Sequence, residues 1–408
     1  MAGIYIHIPF CKQACNYCNF HFSTSLKQKD DLIIALVKEI STNPYPPKKI
    51  GAGLKEEIEQ PDAKISKEII NTLYFGGGTP SILTIEDLKI IFDALHQRFV
   101  FACDIEITLE ANPDDITSLK LQVWKQMGIN RLSVGIQSFL EDELKWMNRA
   151  HTATESLLCI DKIKAAGFTN FSVDLIYGSP LLSDEDWKKN VQTVIKKNIP
   201  HISCYALTVE SKTALDKMIA LKKKAPVDAE KQAQQFLLLM GWMQDAGYEH
   251  YEISNFAKPG LRSKHNSGYW SGLAYYGFGP SAHSYFPLGN STSKSELPNG
   301  IAAPIRRWNI ANNALYIQAL QKNIILFEEE ILTDMQQLNE YIMTVLRTME
   351  GINLEFISTK FGKDASSKIK VASSKYEKTG KLKIANQRII LTKEGKLFAD
   401  GIAADLFF

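Results

Sequence analysis

The chain has 408 residues, is 45% hydrophobic and 23% charged, and carries a formal net charge of +2, the balance of a globular protein with more than one domain. That balance excludes wholesale disorder and gives no global attraction to nucleic acid or an anionic membrane, so such a partner would need a local patch. No segment approaches the roughly 18 uninterrupted apolar residues of a membrane span, and "MAGIYIHIPF" lacks the basic start of a signal peptide; the expectation is a cytoplasmic protein, at most peripheral to the inner face of the membrane.

In chain order, the candidate strands are "GIYIHIPF", "NTLYFGG", "DIEITLEANP", "INRLSVGIQS", "NFSVDLIYGSP" and "HISCYALTV". Between them, "KQKDDLIIALVKEI", "TIEDLKIIFDALHQRF", "DITSLKLQVWKQMG", "TATESLLCIDKIKAAG" and "SDEDWKKNVQTVIKKN" carry the apolar spacing of amphipathic helices. Units of one strand and one helix, about 30 residues long, predict parallel strands with right-handed crossovers and a partial (β/α)6 barrel over 1–215. The first crossover is lengthened by "NPYPPKKIGAGLKEEIEQPDAKISKE", which reads as a surface excursion.

After about residue 215 the βα rhythm stops. A connecting α/β region over 216–324 holds the long helix "DAEKQAQQFLLLMGWMQDAG" and a Gly- and aromatic-rich stretch ending near "GFGPSAHSYF". The tail, 325–408, predicts three helices, a "KLKIANQRIILT" hairpin and a last short helix, a winged-helix-like domain. Its lysines from Lys360 to Lys383 have no interleaved aromatic platform and read as a solvated face, so nucleic acid is not an expected partner.

Unusual polar residues gather where strands end, the face on which barrel enzymes build their sites. Cys11, Cys15 and Cys18 follow the first strand and Gly76, Gly77, Gly78 and Thr79 the second. Glu110 and Asn112 end the third, Gln137 and Ser138 the fourth; Asp174 and Tyr177 lie late in the fifth and Tyr205 on the sixth. Together they outline one concave site.

The Cys-x3-Cys-x2-Cys spacing can turn three sulfurs toward a cubane iron–sulfur cluster and leave its fourth iron open. The alternative is structural zinc, with His21 as fourth ligand. Cys103, Cys159 and Cys204 stand alone and read as small buried hydrophobes. The glycine run lets the backbone approach a ligand closely, although such a turn is commonly only a turn.

"CKQACNYC" after one strand with "GGGTPS" after the next resembles the radical S-adenosylmethionine superfamily. "YIHIPFC", "FGGGTPS", "EANP", "NRLSVGIQSF", "NRAHT", "DLIYGSP" and "GFGPSAHSY" narrow the likeness to the oxygen-independent coproporphyrinogen III dehydrogenase (oxidase) branch and its relatives, the HemW heme chaperones. The resemblance implies a [4Fe-4S] cluster on Cys11, Cys15 and Cys18, and S-adenosylmethionine contacts from Tyr5, Gly77, Gly78, Thr79, Glu110, Gln137, Arg149, Asp174 and Ala206. The oxidase pattern continues to a fourth cysteine where this chain has Phe20, and it carries a substantial segment ahead of its cluster where Cys11 stands near the start. "HNSGYW", His265 to Trp270, resembles the heme motif of HemW proteins, which implies His265 as an axial ligand, with His250, His283 and Tyr269 as alternatives. The expected function is heme binding and transfer to acceptor heme proteins, membrane respiratory enzymes among them, with cluster-promoted dimerisation; the alternative is oxidative decarboxylation of coproporphyrinogen.

Overall fold

The computed structural model describes residues 2–42, 55–57, 69–287 and 303–408. The expected excursion at 43–68 lies outside these apart from one short strand. In chain order the strands are β1 (Ala2–Ile8), β2 (Lys55–Glu57), β3 (Ile69–Gly77), β4 (Val100–Ala111), β5 (Arg131–Gln137), β6 (Phe171–Tyr177), β7 (His201–Ala206), β8 (Glu249–Glu252), β9 (Asn255–Ala257), β10 (Ala274–Phe278), β11 (His283–Phe286), β12 (Ile305–Asn309), β13 (Ile324–Ile331), β14 (Ile352–Asn353), β15 (Leu382–Ala385) and β16 (Arg388–Leu391). The helices are α1 (Lys29–Thr42), α2 (Ile85–Arg98), α3 (Ser118–Gln126), α4 (Glu141–Met147), α5 (Ala153–Ala165), α6 (Asp184–Lys196), α7 (Ala214–Ala220), α8 (Ala229–Asp245), α9 (Lys264–Trp270), α10 (Asn313–Gln321), α11 (Asp334–Leu346), α12 (Leu354–Phe361), α13 (Lys363–Lys378) and α14 (Ala399–Asp405). The chain divides into two compact units: Met1–Leu175 with Thr208–Pro226 and Leu273–Ile331, and Ile176–Leu207 with Val227–Gly272 and Leu332–Phe408.

In the first unit β1, β3, β4, β5 and β6 pair in parallel, in that order. Their alternate residues Ile4, Ile6 and Ile8, Leu73 and Phe75, Leu132, Val134 and Ile136 are fully buried under the crossover helices, as expected of a sheet covered by helices. Capping fixes where those helices begin: Thr84 with Asp87 starts α2, and Thr152 with Glu155 starts α5, each a reciprocal box. A feature absent from the sequence expectation lies on the other edge of β1. There β10 pairs in parallel, and β11, β12 and β13 continue the sheet antiparallel.

One buried carboxylate ties this extension to the helical layer. Glu39 of α1 accepts hydrogen bonds from Gly279 N (2.9 Å), Asn309 Nδ2 (2.7 Å) and Tyr316 Oη (2.5 Å). Its burial is complete.

In the second unit β7 pairs antiparallel with β9, and β9 with β8. Trp187 of α6 is fully buried and donates to Gln235 O of α8 at 3.1 Å. The tail follows the expected order of three helices, a β15–β16 hairpin and a short helix, around a core that includes Ile342, Leu346, Ile357, Ile369, Ile389 and Ile402.

Removing the Glu39 carboxylate takes the acceptor from three buried donors, of which Asn309 Nδ2 keeps Gly279 O at 2.9 Å. Glu39→Ala is therefore expected to cost about 3 kcal/mol or more, whereas exposed Asp93→Ala stays within about 0.5 kcal/mol. Urea denaturation followed by tryptophan fluorescence checks both.

Candidate metal centre

The cysteine loop leaves β1 and is fastened at several points. Cys11 N donates to Ser23 O (3.0 Å) and Ser23 N to Pro9 O (2.8 Å). Further along, Asn16 N reaches Met147 O (3.1 Å), Asn16 Nδ2 reaches Trp146 O (2.9 Å), and Asn148 Nδ2 reaches Ala14 O (2.7 Å). Asn148 caps α4 in the left-handed region at φ 59°, which Asn tolerates better than most residues. The loop is thus braced by the end of α4, far along the chain.

Each of the three sulfurs meets a donor. Thr79 Oγ1 donates to Cys11 Sγ at 3.5 Å, Arg149 Nη1 to Cys15 Sγ at 3.1 Å, and the Phe20 backbone N–H to Cys18. Burial pushes the Cys11 thiol up to about 11 and raises that of Cys18, so ligation to a cation is what would hold these sulfurs as thiolates. Three soft donors, each with an outer hydrogen bond, fit an iron–sulfur cluster. They do not fit the zinc alternative. His21, the fourth ligand of that reading, instead gives its Nε2 to Asn313 Oδ1 at 2.8 Å, where a Cys3His site needs an imidazole nitrogen about 2.0–2.1 Å from the metal.

The glycine run is stitched to the end of β1: Gly78 N donates to Ile8 O (2.8 Å) and Thr79 N to Phe10 O (2.7 Å). Its lack of side chains has a reason inside the protein. A Cβ on Gly77, at φ +106°, would lie 2.6 Å from the His7 ring, and one on Gly78 would lie 2.6 Å from Phe10 O. A Cβ on Gly76 would press on Tyr74, Tyr5 and Glu110. His7 was not singled out in the sequence, yet alternation along β1 puts it on the same face as Tyr5. It donates from Nε2 to His21 O (3.1 Å), leaving Nδ1 to accept from the Tyr5 hydroxyl (3.2 Å). Burial lowers its pKa to about 4, so the ring is neutral.

Glu110 is the other anchor of this face. It accepts from Tyr74 Oη at 2.7 Å, and burial raises its pKa to about 7, with the Asp174 charge adding to the rise. Burial, then the Glu110 charge, also raises Tyr5. Gln137, at the end of β5, holds φ 68°, a strained conformation for a side chain of its size. Arg149 Nη2 donates to Asn112 Oδ1 (2.9 Å) and Gly135 O (2.7 Å), while its buried Nε has no hydrogen-bond partner among the described residues. Asn112 in turn donates to Thr79 Oγ1 at 3.4 Å. The first unit therefore brings the cysteine loop, Thr79, Asn112 and Arg149 into one network, and Tyr5, His7, Tyr74 and Glu110 into an adjoining one.

Most of the remaining candidates lie in the second unit. Ala206 and the exposed Tyr205 end β7, and Tyr177 stacks on Phe236 with centroids 6.0 Å apart. His265 sits in α9, is buried, and shares a 2.9 Å hydrogen bond between Nε2 and the Tyr269 hydroxyl. His250 is also engaged, donating Nε2 to Ile253 O (2.9 Å) with Lys396 Nζ 2.8 Å from Nδ1. His283, in the first unit, is exposed. Of the lone cysteines, Cys159 and Cys204 are buried as expected, but Cys103 is exposed, because the early residues of β4 extend beyond the helical cover.

Residues 5–194 match the Radical SAM superfamily and residues 332–398 the HemN C-terminal domain. Over 405 residues the chain is 30% identical to the heme chaperone HemW of Bacillus subtilis, covering 98% of each. The chain belongs to the HemW family. The HemW of Escherichia coli K12 is 33% identical over 304 residues, covering 73% of this chain and 75% of that protein. Among solved structures, the coproporphyrinogen III oxidase HemN of Escherichia coli, a radical SAM enzyme, superposes with a TM-score of 0.79 at 19% identity, covering 100% of this chain and 90% of that one. The HemW and HemN chains thus share this fold, and radical SAM membership implies a [4Fe-4S] cluster and S-adenosylmethionine as cofactors.

The Gly77 contact gives a test of this packing. Gly77→Ala is expected to cost about 1–3 kcal/mol from its positive φ alone, plus the clash with His7. Gly260→Ala has φ +79° but nothing within 4 Å. Thermal unfolding should rank Gly77→Ala as clearly the more damaging.

Proposed function

We propose that the protein is a heme chaperone that binds heme, a [4Fe-4S] cluster and S-adenosylmethionine and passes the heme to acceptor heme proteins, membrane respiratory enzymes among them. The observation that carries this reading is the likeness to HemW over 98% of both chains. It is supported at the loop, where Phe20 puts an exposed ring where the oxidase pattern has a fourth cysteine. When bound, a cluster with one open iron supplies a ligand position and an electron. Cys11, Cys15 and Cys18 hold it, and Thr79, Arg149 and the Phe20 N–H lower the charge density on their sulfurs.

The other residues act on S-adenosylmethionine. Gly77 and Gly78 offer main-chain groups, since the space of their side chains is already filled. Glu110, with its pKa near neutrality, accepts from a hydroxyl or pairs with an ammonium, and Asp174 adds negative charge beside it. Tyr5 and Gln137 bound the cradle. Arg149 works through Cys15 and Asn112 as well as toward a carboxylate. His265 belongs to the heme motif, and it reaches an iron only once the Tyr269 hydroxyl releases its Nε2. A cluster-promoted homodimer is part of the same reading.

After anaerobic reconstitution, Cys11→Ala, Cys15→Ala and Cys18→Ala are each expected to lose most bound iron and the visible absorbance of the cluster, while Cys103→Ala keeps both. The reconstituted protein, given coproporphyrinogen, S-adenosylmethionine and a reductant, is expected to yield no protoporphyrinogen above background by chromatography. Catalytic formation of protoporphyrinogen would return the chain to the oxidase reading.

A further inference from the structure

His151 of "NRAHT" is buried in the connector between α4 and α5. Asn148 closes α4 and Thr152 opens α5, so only Arg149, Ala150 and His151 lie between the two caps. Arg149 N donates back to Leu144 O at 2.9 Å, which fixes the connector against the helix it leaves.

What the connector grips is the end of β5. Pairing between β5 and β6 runs from Val134 opposite Val173 to Gln137 opposite Leu175, three steps along one strand against two along the other. That is a bulge, a device that re-aims a side chain beside a site. Pairing of β5 with β4 stops at Val134. The carbonyls inside the bulge are taken by the connector instead: Gly135 O by Arg149 Nη2 at 2.7 Å, and Ile136 O by His151 Nε2 at 3.0 Å. Ile136 O also accepts from Ser138 N at 2.9 Å, closing a three-residue turn with Gln137 at its centre. At φ 68° this is the strained hand of the γ-turn, and such a conformation persists only where its surroundings hold it.

The bulge decides where the Gln137 carboxamide goes. A Cβ placed on Gly135 would lie 3.1 Å from Gln137 Nε2, 3.3 Å from Arg149 Nη2 and 3.6 Å from Asn112 Oδ1. Three polar groups thus crowd over one glycine, and one of them, Arg149, also bonds Cys15 Sγ. Burial and the Arg149 charge keep His151 neutral. With the proton on Nε2, its buried Nδ1 has no hydrogen-bond partner among the described residues. An imidazole with one nitrogen unsatisfied carries a cost, and what it gains here is the grip on Ile136 O.

We propose that His151 is a positioning residue: by holding the Ile136 carbonyl it keeps Gln137 in its strained turn and sets the carboxamide, beside Asn112 and Arg149, to meet S-adenosylmethionine. The inference rests on the reading of Gln137 as a cofactor contact, and His151 acts through Gln137 alone.

Wild type, His151→Phe, His151→Gln, Gln137→Ala and the double variant His151→Phe with Gln137→Ala are reconstituted anaerobically and assayed for iron. S-adenosylmethionine is titrated into each, with equilibrium binding and the change it causes in the EPR spectrum of the reduced cluster as readouts. His151→Phe, which keeps a ring but removes the donor, is expected to hold wild-type iron, bind S-adenosylmethionine about five- to tenfold more weakly, the scale of one hydrogen bond, and show a diminished spectral change. His151→Gln, which restores an N–H donor, is expected to recover both. In the Gln137→Ala background His151→Phe is expected to add nothing, because residues that act as one unit are not additive. Wild-type affinity and spectrum in His151→Phe, or an equal loss in both backgrounds, would overturn the inference while a weakened Gln137→Ala leaves the reading of Gln137 intact. Loss of iron from both His151 variants would make the residue a support of the cysteine loop and overturn the inference as well. Wild-type affinity in Gln137→Ala would overturn the reading of Gln137 and the inference together.

Discussion

Three cysteine sulfurs must face one space, each with its own donor, and most of the first unit can be understood from that constraint. A short loop cannot impose such an arrangement on itself. The end of α4 holds it through Asn16 and Asn148, and the turn after β3 supplies Thr79 to Cys11. Arg149, between Cys15 and the end of β4, links the loop to Asn112 and Gly135. Sulfur, hydroxyl, amide and guanidinium thus form one connected polar body, and each link restrains the next.

The glycines after β3 acquire a second meaning in this setting. Their missing side chains make room for His7 and for the Ile8–Phe10 backbone, so the turn is shaped by the protein before any cofactor meets it. The same packing keeps His7 neutral and aligns the Tyr5 hydroxyl. A turn packed this way has little backbone freedom left.

Much of this was legible in the sequence because the informative residues sit at strand ends, where periodicity stops and chemistry begins. The six strands, the helices between them, the cysteine loop and the order of elements in the tail follow from period and spacing. The extension β10–β13 did not, because β10, β11 and β12 are short, two of them flank residues 288–302, and they join the sheet beside β1, hundreds of residues away. Arg149's work on Cys15, the left-handed Asn148 and the bond between His265 and Tyr269 were also hidden. The first depends on a tertiary approach that no local pattern encodes; the other two are local, a helix cap and an i, i+4 pair on α9, and their types alone did not announce them. Phe20 is a case of partial legibility: its ring marked the absent fourth sulfur, but the function of its backbone N–H toward Cys18 became visible only in three dimensions.

The central claim is that the chain delivers heme rather than oxidising a porphyrinogen. The most direct test mixes the reconstituted, heme-loaded protein with an apo heme protein and follows the acceptor's own absorbance, against an equal concentration of free heme with a scavenger present. The account predicts that heme appears in the acceptor despite the scavenger. Heme that goes only to the scavenger, or never leaves the chain, would contradict it.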